Sequence, residues 1–189
     1  MNVALLGGSF DPPHLAHQMI CLYLLEAESF EQVWLLPCFR HAFGKTLAPF
    51  ADRLTMCRHL ARPFGGRVVV SEIERELPGG EGVNRTVDTV AALKAQNPSA
   101  RFTFVVGSDI PAQAPAWKDF DRLRGMVEFL VLRRPGYDEE LLGWSYAPVA
   151  MPDVSSTGVR ERIRRNDSVR GLLPAAVASF IEEHKLYRT

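Results

Sequence analysis

Apolar residues along the chain fall into short continuous runs, separated by stretches in which they recur every three or four positions. The runs predict strands at 2–6, 32–37, 67–71, 101–106, 127–132 and 146–150, because a short apolar run bounded by turn residues suits a strand covered on both faces. The longer period predicts amphipathic helices at 15–28, 50–62, 86–96, 118–124, 158–165 and 175–184. Strand and helix alternate from end to end. That order is expected of an α/β chain with a doubly wound, mainly parallel sheet and helices on both faces.

With 189 residues the chain is long enough to bury a core without disulfides, and a single domain, 1–189, is expected. Gly79-Gly80-Glu81-Gly82 is the most flexible stretch and is too brief for a linker. Cys21, Cys38 and Cys57 lie in apolar segments without CxxC spacing and read as small core residues, so no metal site is expected from them. Lys plus Arg and Asp plus Glu number 22 each, so no general positive field draws in a nucleic acid and any phosphate must be held locally. Met1 to Leu6 carry no basic leader, and Gly7-Gly8 interrupt the apolar run early, so a cytoplasmic protein without a membrane partner is expected.

In open α/β sheets ligands bind beyond the carboxyl ends of the strands, and there the chemistry concentrates. The first strand opens into Gly7-Gly8-Ser9-Phe10-Asp11-Pro12-Pro13-His14-Leu15-Ala16-His17. The glycines permit close backbone approach, and Asp11 before two prolines suits a helix N-cap and first turn, which favours an anion. His14 and His17, three apart, face the same side and could hold a transferring phosphate. Taken alone, such a pair more often flanks a cap by accident.

This string resembles the GG[ST]FDPxHxGH signature of the nucleotidylyltransferase superfamily, in particular its nicotinate-nucleotide adenylyltransferases, with Ala16 at the usual glycine. The resemblance implies a Rossmann-like fold and runs through further elements. After the second strand the family's lysine loop, usually PPHK, corresponds to Arg40-His41-Ala42-Phe43-Gly44-Lys45. Lys45 is implied as a phosphate contact; a solvated loop lysine is the plain alternative. The GxD element corresponds to Gly107-Ser108-Asp109, implying that Asp109 accepts hydrogen bonds from a ribose; a helix N-cap is the other reading. Trp117 stands where the family stacks an aromatic on the pyridine ring, whereas Trp34 and Trp144 read as core. Thr86-Val87-Asp88-Thr89 resembles YTxDT, with Arg85 at the usual tyrosine.

Near the C-terminus Val154-Ser155-Ser156-Thr157-Gly158-Val159-Arg160 resembles ISSTxIR, implying a clamp on the β- and γ-phosphates, while an ordinary Ser/Thr N-cap also fits the string. Arg134, after the fifth strand, is a further ATP contact by resemblance, and the final helix reads as structural.

The implied reaction is attack by the 5′-phosphate of a pyridine mononucleotide on the α-phosphorus of ATP, with pyrophosphate leaving. His14, His17, Lys45 and Arg160 are the catalytic candidates. Gly7, Gly8, Ser9, Phe10, His17, Gly107, Asp109, Arg134, Ser155, Ser156, Thr157 and Arg160 are those for ATP, and Ser9, Lys45, Arg85, Thr86 and Trp117 those for the mononucleotide. Mg²⁺ is expected with ATP, without a dedicated protein site. The partners expected are ATP and nicotinate mononucleotide, with homo-oligomerisation left open. Two rivals stay open: an adenylyltransferase for another acceptor such as phosphopantetheine, and a nucleotide-binding regulatory module without turnover. Arg85 could add potential that favours the acid acceptor or could equally be a solvated loop arginine, and the Gly44-Lys45 loop, closer to nicotinamide-accepting relatives, pulls towards the amide.

Overall fold

A computed structural model describes residues 1–40, 46–77, 84–133, 135–136 and 140–188. Gly79-Gly80-Glu81-Gly82, Lys45 and Arg134 lie outside them.

Six strands, β1 (Asn2–Gly8), β2 (Gln32–Pro37), β3 (Val68–Val70), β4 (Arg101–Gly107), β5 (Glu128–Arg133) and β6 (Ser145–Ala150), form one sheet in the order β3-β2-β1-β4-β5-β6. Every pairing is parallel, and the register slips once, between Val131 and Arg133 against β6. The expected strands are all present, within about two residues of their expected ends.

The helices are α1 (Leu15–Glu26), α2 (Phe50–Ala61), α3 (Ile73–Glu76), α4 (Thr86–Gln96), α5 (Phe120–Arg124), α6 (Ser156–Arg164) and α7 (Ala175–Glu183). α3 was not expected: four residues are too few to display a helical period.

The sheet divides two cores, and alternation along β1 shows why. Ala4 and Leu6 point to one face, where Leu24 of α1, Met56 and Leu60 of α2, Val159 of α6 and Val177 of α7 cover them. Val3 and Leu5 point to the other, against Val90 and Leu93 of α4 and Leu123 of α5. Successive side chains of a strand alternate in direction, so both faces must be apolar and both need helices. Trp34 and Trp144 are half-buried against the second core, consistent with their reading as core residues.

Candidate active site

From β1 the chain winds outward through β2 to β3, then returns to β4 on the other side of β1. The carboxyl ends of β1 and β4 therefore border the crevice where such sheets bind ligands. A cleft of about 700 Å³ opens there, with residues 6–9 at the end of β1 and 105–107 of β4 along its base. This order is that of the doubly wound nucleotide-binding α/β class.

Side chains at the glycines of the first turn would crowd aromatic rings. A Cβ on Gly7 would sit 3.2 Å from Cζ of Phe104, and one on Gly8 would sit 3.3 Å from Cε2 of Phe10. Phe10 has φ of 47°, a left-handed conformation uncommon for a bulky residue. Its ring is buried against Gly8 and stands 4.9 Å from the His17 ring. Ala16, at the position where the resembling signature has glycine, is buried in the first turn of α1.

Asp11 is not the helix cap. A residue preceding proline is driven out of the helical region, so Pro12 and Pro13 delay the helix, and His14 is the N-cap with φ −137° and ψ 174°. The Asp11 carboxylate turns inward instead. Its Oδ1 accepts hydrogen bonds from the Ala48 N–H at 3.1 Å and the Tyr187 hydroxyl at 2.8 Å.

His14 and His17 come together as their spacing implied, with rings stacked at 3.8 Å. His14 is 6% exposed, whereas His17 lines the cleft. The His14 N–H donates to Nδ1 of His17 at 3.1 Å. An accepting Nδ1 places the proton of a neutral ring on Nε2, making that atom the donor.

Gly107 and Asp109 reach the cleft from β4. Arg85 and Thr86, at the start of α4, and Trp117, just after the turn Ala114–Ala116, line it too. Trp117 is half-buried, edge-on to Phe120 at 6.4 Å.

The C-terminal motif meets the first turn. Ser155 caps α6 by accepting from the Gly158 N–H at 3.1 Å, as its N-cap reading required. Ser156 donates to the Pro12 carbonyl at 2.8 Å. Arg160 donates from Nη1 to the Asp11 carbonyl at 2.6 Å and from Nη2 to Oγ1 of Thr157 at 3.2 Å, with Oδ2 of Asp11 at 3.7 Å.

Sequence reasoning missed Arg53 and Glu74 and misread Cys38. Arg53 is 1% exposed and donates to four carbonyls, those of Ala48, Ser9, Cys38 and Phe39. It thus ties the first turn to the loop after β2. Its signal was a charge on the apolar stripe of α2, three, four and seven residues before Met56, Cys57 and Leu60. Glu74 lines the cleft, and burial pushes its carboxyl up to about 7. Cys21 and Cys57 are core residues as expected, but Cys38 is half-buried and lines the cleft, because the strand ends there at the ligand edge. Burial raises the pKa of its thiol.

A family model described as cytidylyltransferase-like matches residues 5–162. A relative from Anaeromyxobacter dehalogenans (strain 2CP-C), named "Probable nicotinate-nucleotide adenylyltransferase", is 44% identical over 99% of this chain and 97% of its own. One of the same name from Myxococcus xanthus (strain DK1622) is 41% identical over 99% of this chain and 95% of its own. Among solved structures, a Plasmodium falciparum nicotinic acid mononucleotide adenylyltransferase complexed with NaAD superposes with a TM-score of 0.83 at 19% identity, covering 98% of this chain and 97% of the other. The chain belongs to the cytidylyltransferase-like family, among its nicotinate-nucleotide adenylyltransferases.

Proposed function

We propose that the protein transfers the adenylyl group of ATP to nicotinate mononucleotide, giving the deamido-NAD dinucleotide and pyrophosphate in NAD biosynthesis. The observation that carries this reading is the meeting of His17 and residues 7–9 with Gly107, Asp109, Arg85, Thr86 and Trp117 around one cleft at the β1/β4 crevice.

The acceptor's phosphate oxygen forms a bond to the α-phosphorus of ATP as the bond from that phosphorus to the pyrophosphate oxygen breaks. No protein nucleophile is required. Catalysis rests on positioning and on donors aimed at charge developing on the phosphates. The Nε2–H of His17 is the first such donor, with His14 stacked behind it. Residues 7–10 hold the nucleotide against the end of β1, and Asp109 takes its ribose. Ser155, Ser156, Thr157 and Arg160 brace the phosphate end by docking α6 on the first turn. Lys45 and Arg134 keep the phosphate roles that the resemblance implies.

Trp117 stacks on the pyridine, and Arg85 adds positive potential beside it, favouring the acid over the amide. Among the described residues no three His, Cys, Asp or Glu side chains are gathered to hold a metal. Mg²⁺ bound with the ATP phosphates would supply counter-charge there. Among the described residues no helix is long and apolar enough to cross a membrane, and a cytoplasmic location accords with the reaction.

The test is pyrophosphate release from ATP with nicotinate mononucleotide present and absent. Acceptor-dependent release supports the reading. ATP binding without release, with any acceptor, contradicts it and favours the regulatory module.

A further inference from the structure

Glu74 links the segment after β2 to the segment before α4 at the cleft, through Phe39 and Asn84. It lies in α3, lines the cleft, and accepts at Oε2 from the Phe39 N–H at 2.9 Å. Phe39 precedes Arg40, which lines the same cleft, and the Phe39 carbonyl is held by Arg53 at 3.4 Å. Asn84, just before α4, donates to the Glu74 carbonyl, and Thr89 of α4 stands beside the carboxyl. Thr89 also bonds the Arg85 carbonyl at 3.2 Å. The carboxyl thus lines the same cleft as Arg85 and Thr86, held there by the Phe39 N–H.

We propose that Glu74 is a specificity-determining residue for the acceptor: its negative charge opposes the ring carboxylate of a nicotinate acceptor and leaves the neutral ring of a nicotinamide acceptor unaffected. This rests on the pyridine-acceptor reading. Electrostatics supply the reason, since like charges sharing a partly desolvated site repel far more than they do in water. Arg85 pulls the preference towards the acid and Glu74 pulls it back.

Burial pushes the carboxyl up from its ordinary 4.5 to about 7, opposed by the Phe39 N–H, the Arg53 charge and the Thr89 hydroxyl. Its charge therefore changes across neutral pH. Around it stand the basic side chains of Arg53 on α2, Arg40 after β2, Arg85 on α4 and Lys118 beyond Trp117, and Glu72, on its own segment, is paired with Arg58 and Arg75. Asp88 on α4 and Glu76 on α3 are exposed carboxylates. The Cys38 thiol is held above its usual range. His17 serves phosphates common to both acceptors, so its effect cancels in a ratio.

The experiment is the ratio of kcat/KM for nicotinate over nicotinamide mononucleotide, between pH 6 and pH 8, in the parent and in Glu74→Gln. Glutamine keeps an oxygen for the Phe39 N–H and removes the charge. The parent ratio should fall roughly fivefold or more as pH rises, the scale of a partly screened charge pair. In Glu74→Gln the ratio should stay flat near the parent's low-pH value. A flat parent profile overturns the assignment without any variant, and so does a slope that persists in Glu74→Gln. An absence of pyrophosphate with both acceptors at every pH would overturn the activity itself, a failure distinct from the other two.

Discussion

Arg160 donates to the backbone oxygen of Asp11 at 2.6 Å, joining two motifs that lie 149 residues apart. The same guanidinium reaches Thr157, so one planar fork spans the start of α6 and the turn that leads to His14 and His17. A lysine ammonium cannot span both. Arg160→Lys should therefore lower kcat/KM for both substrates about tenfold, the scale of one lost charge-assisted hydrogen bond. Steady-state kinetics check this, and an unchanged enzyme would remove Arg160 from the bracing role.

His17 is the better placed of the stacked pair to serve as a donor, since it lines the cleft and its Nδ1 is already occupied by the His14 N–H. His17→Ala should fold normally and lose on the order of 10²-fold or more in turnover, as when one transition-state donor is deleted. A folded variant with near-normal kcat would contradict the role.

Trp117 divides its surface between the cleft and Phe120. Stacking on the pyridine concerns one substrate only, so Trp117→Ala should raise KM for the mononucleotide much more than KM for ATP. Equal increases, or unfolding, would return Trp117 to the core.

Much of this site was legible because strand ends are legible. Glycine-containing turns after the apolar runs at 2–6 and 101–106 put Gly7, Gly8, Gly107 and Asp109 at the sheet's ligand edge, where they line the cleft. What escaped are contacts between segments far apart in the chain. Tyr187 holds Asp11 across 176 residues, and nothing in the period of the last helix indicates that its neighbour reaches the first turn. Glu74 stands among Glu72, Arg75 and Glu76, which reads as a solvated charged stretch; only the packing of α3 under the loop after β2 buries it. The Asp11 cap failed for a local reason, because two prolines move the helix start beyond it.

The raised Glu74 carboxyl also has a signature in stability. Its native value, about 7, exceeds the ordinary 4.5, so the native state binds more protons than the unfolded chain between those values. Its contribution is fully present below pH 4.5 and is lost as pH rises through 7, by about 3 kcal/mol at most. Glu74→Gln should gain stability relative to the parent at pH 8 and not at pH 4.5. Urea titrations at the two pH values decide, and a difference that does not change with pH would place the carboxyl outside this window.

The most direct test of the whole account is kcat/KM for ATP-dependent pyrophosphate release with nicotinate mononucleotide, nicotinamide mononucleotide and phosphopantetheine as acceptors, with the product identified by mass. The account predicts the highest value for nicotinate mononucleotide, a lower one for the amide, negligible release with phosphopantetheine, and a dinucleotide as product. Preferred turnover of phosphopantetheine, or no release with either pyridine mononucleotide, would contradict it.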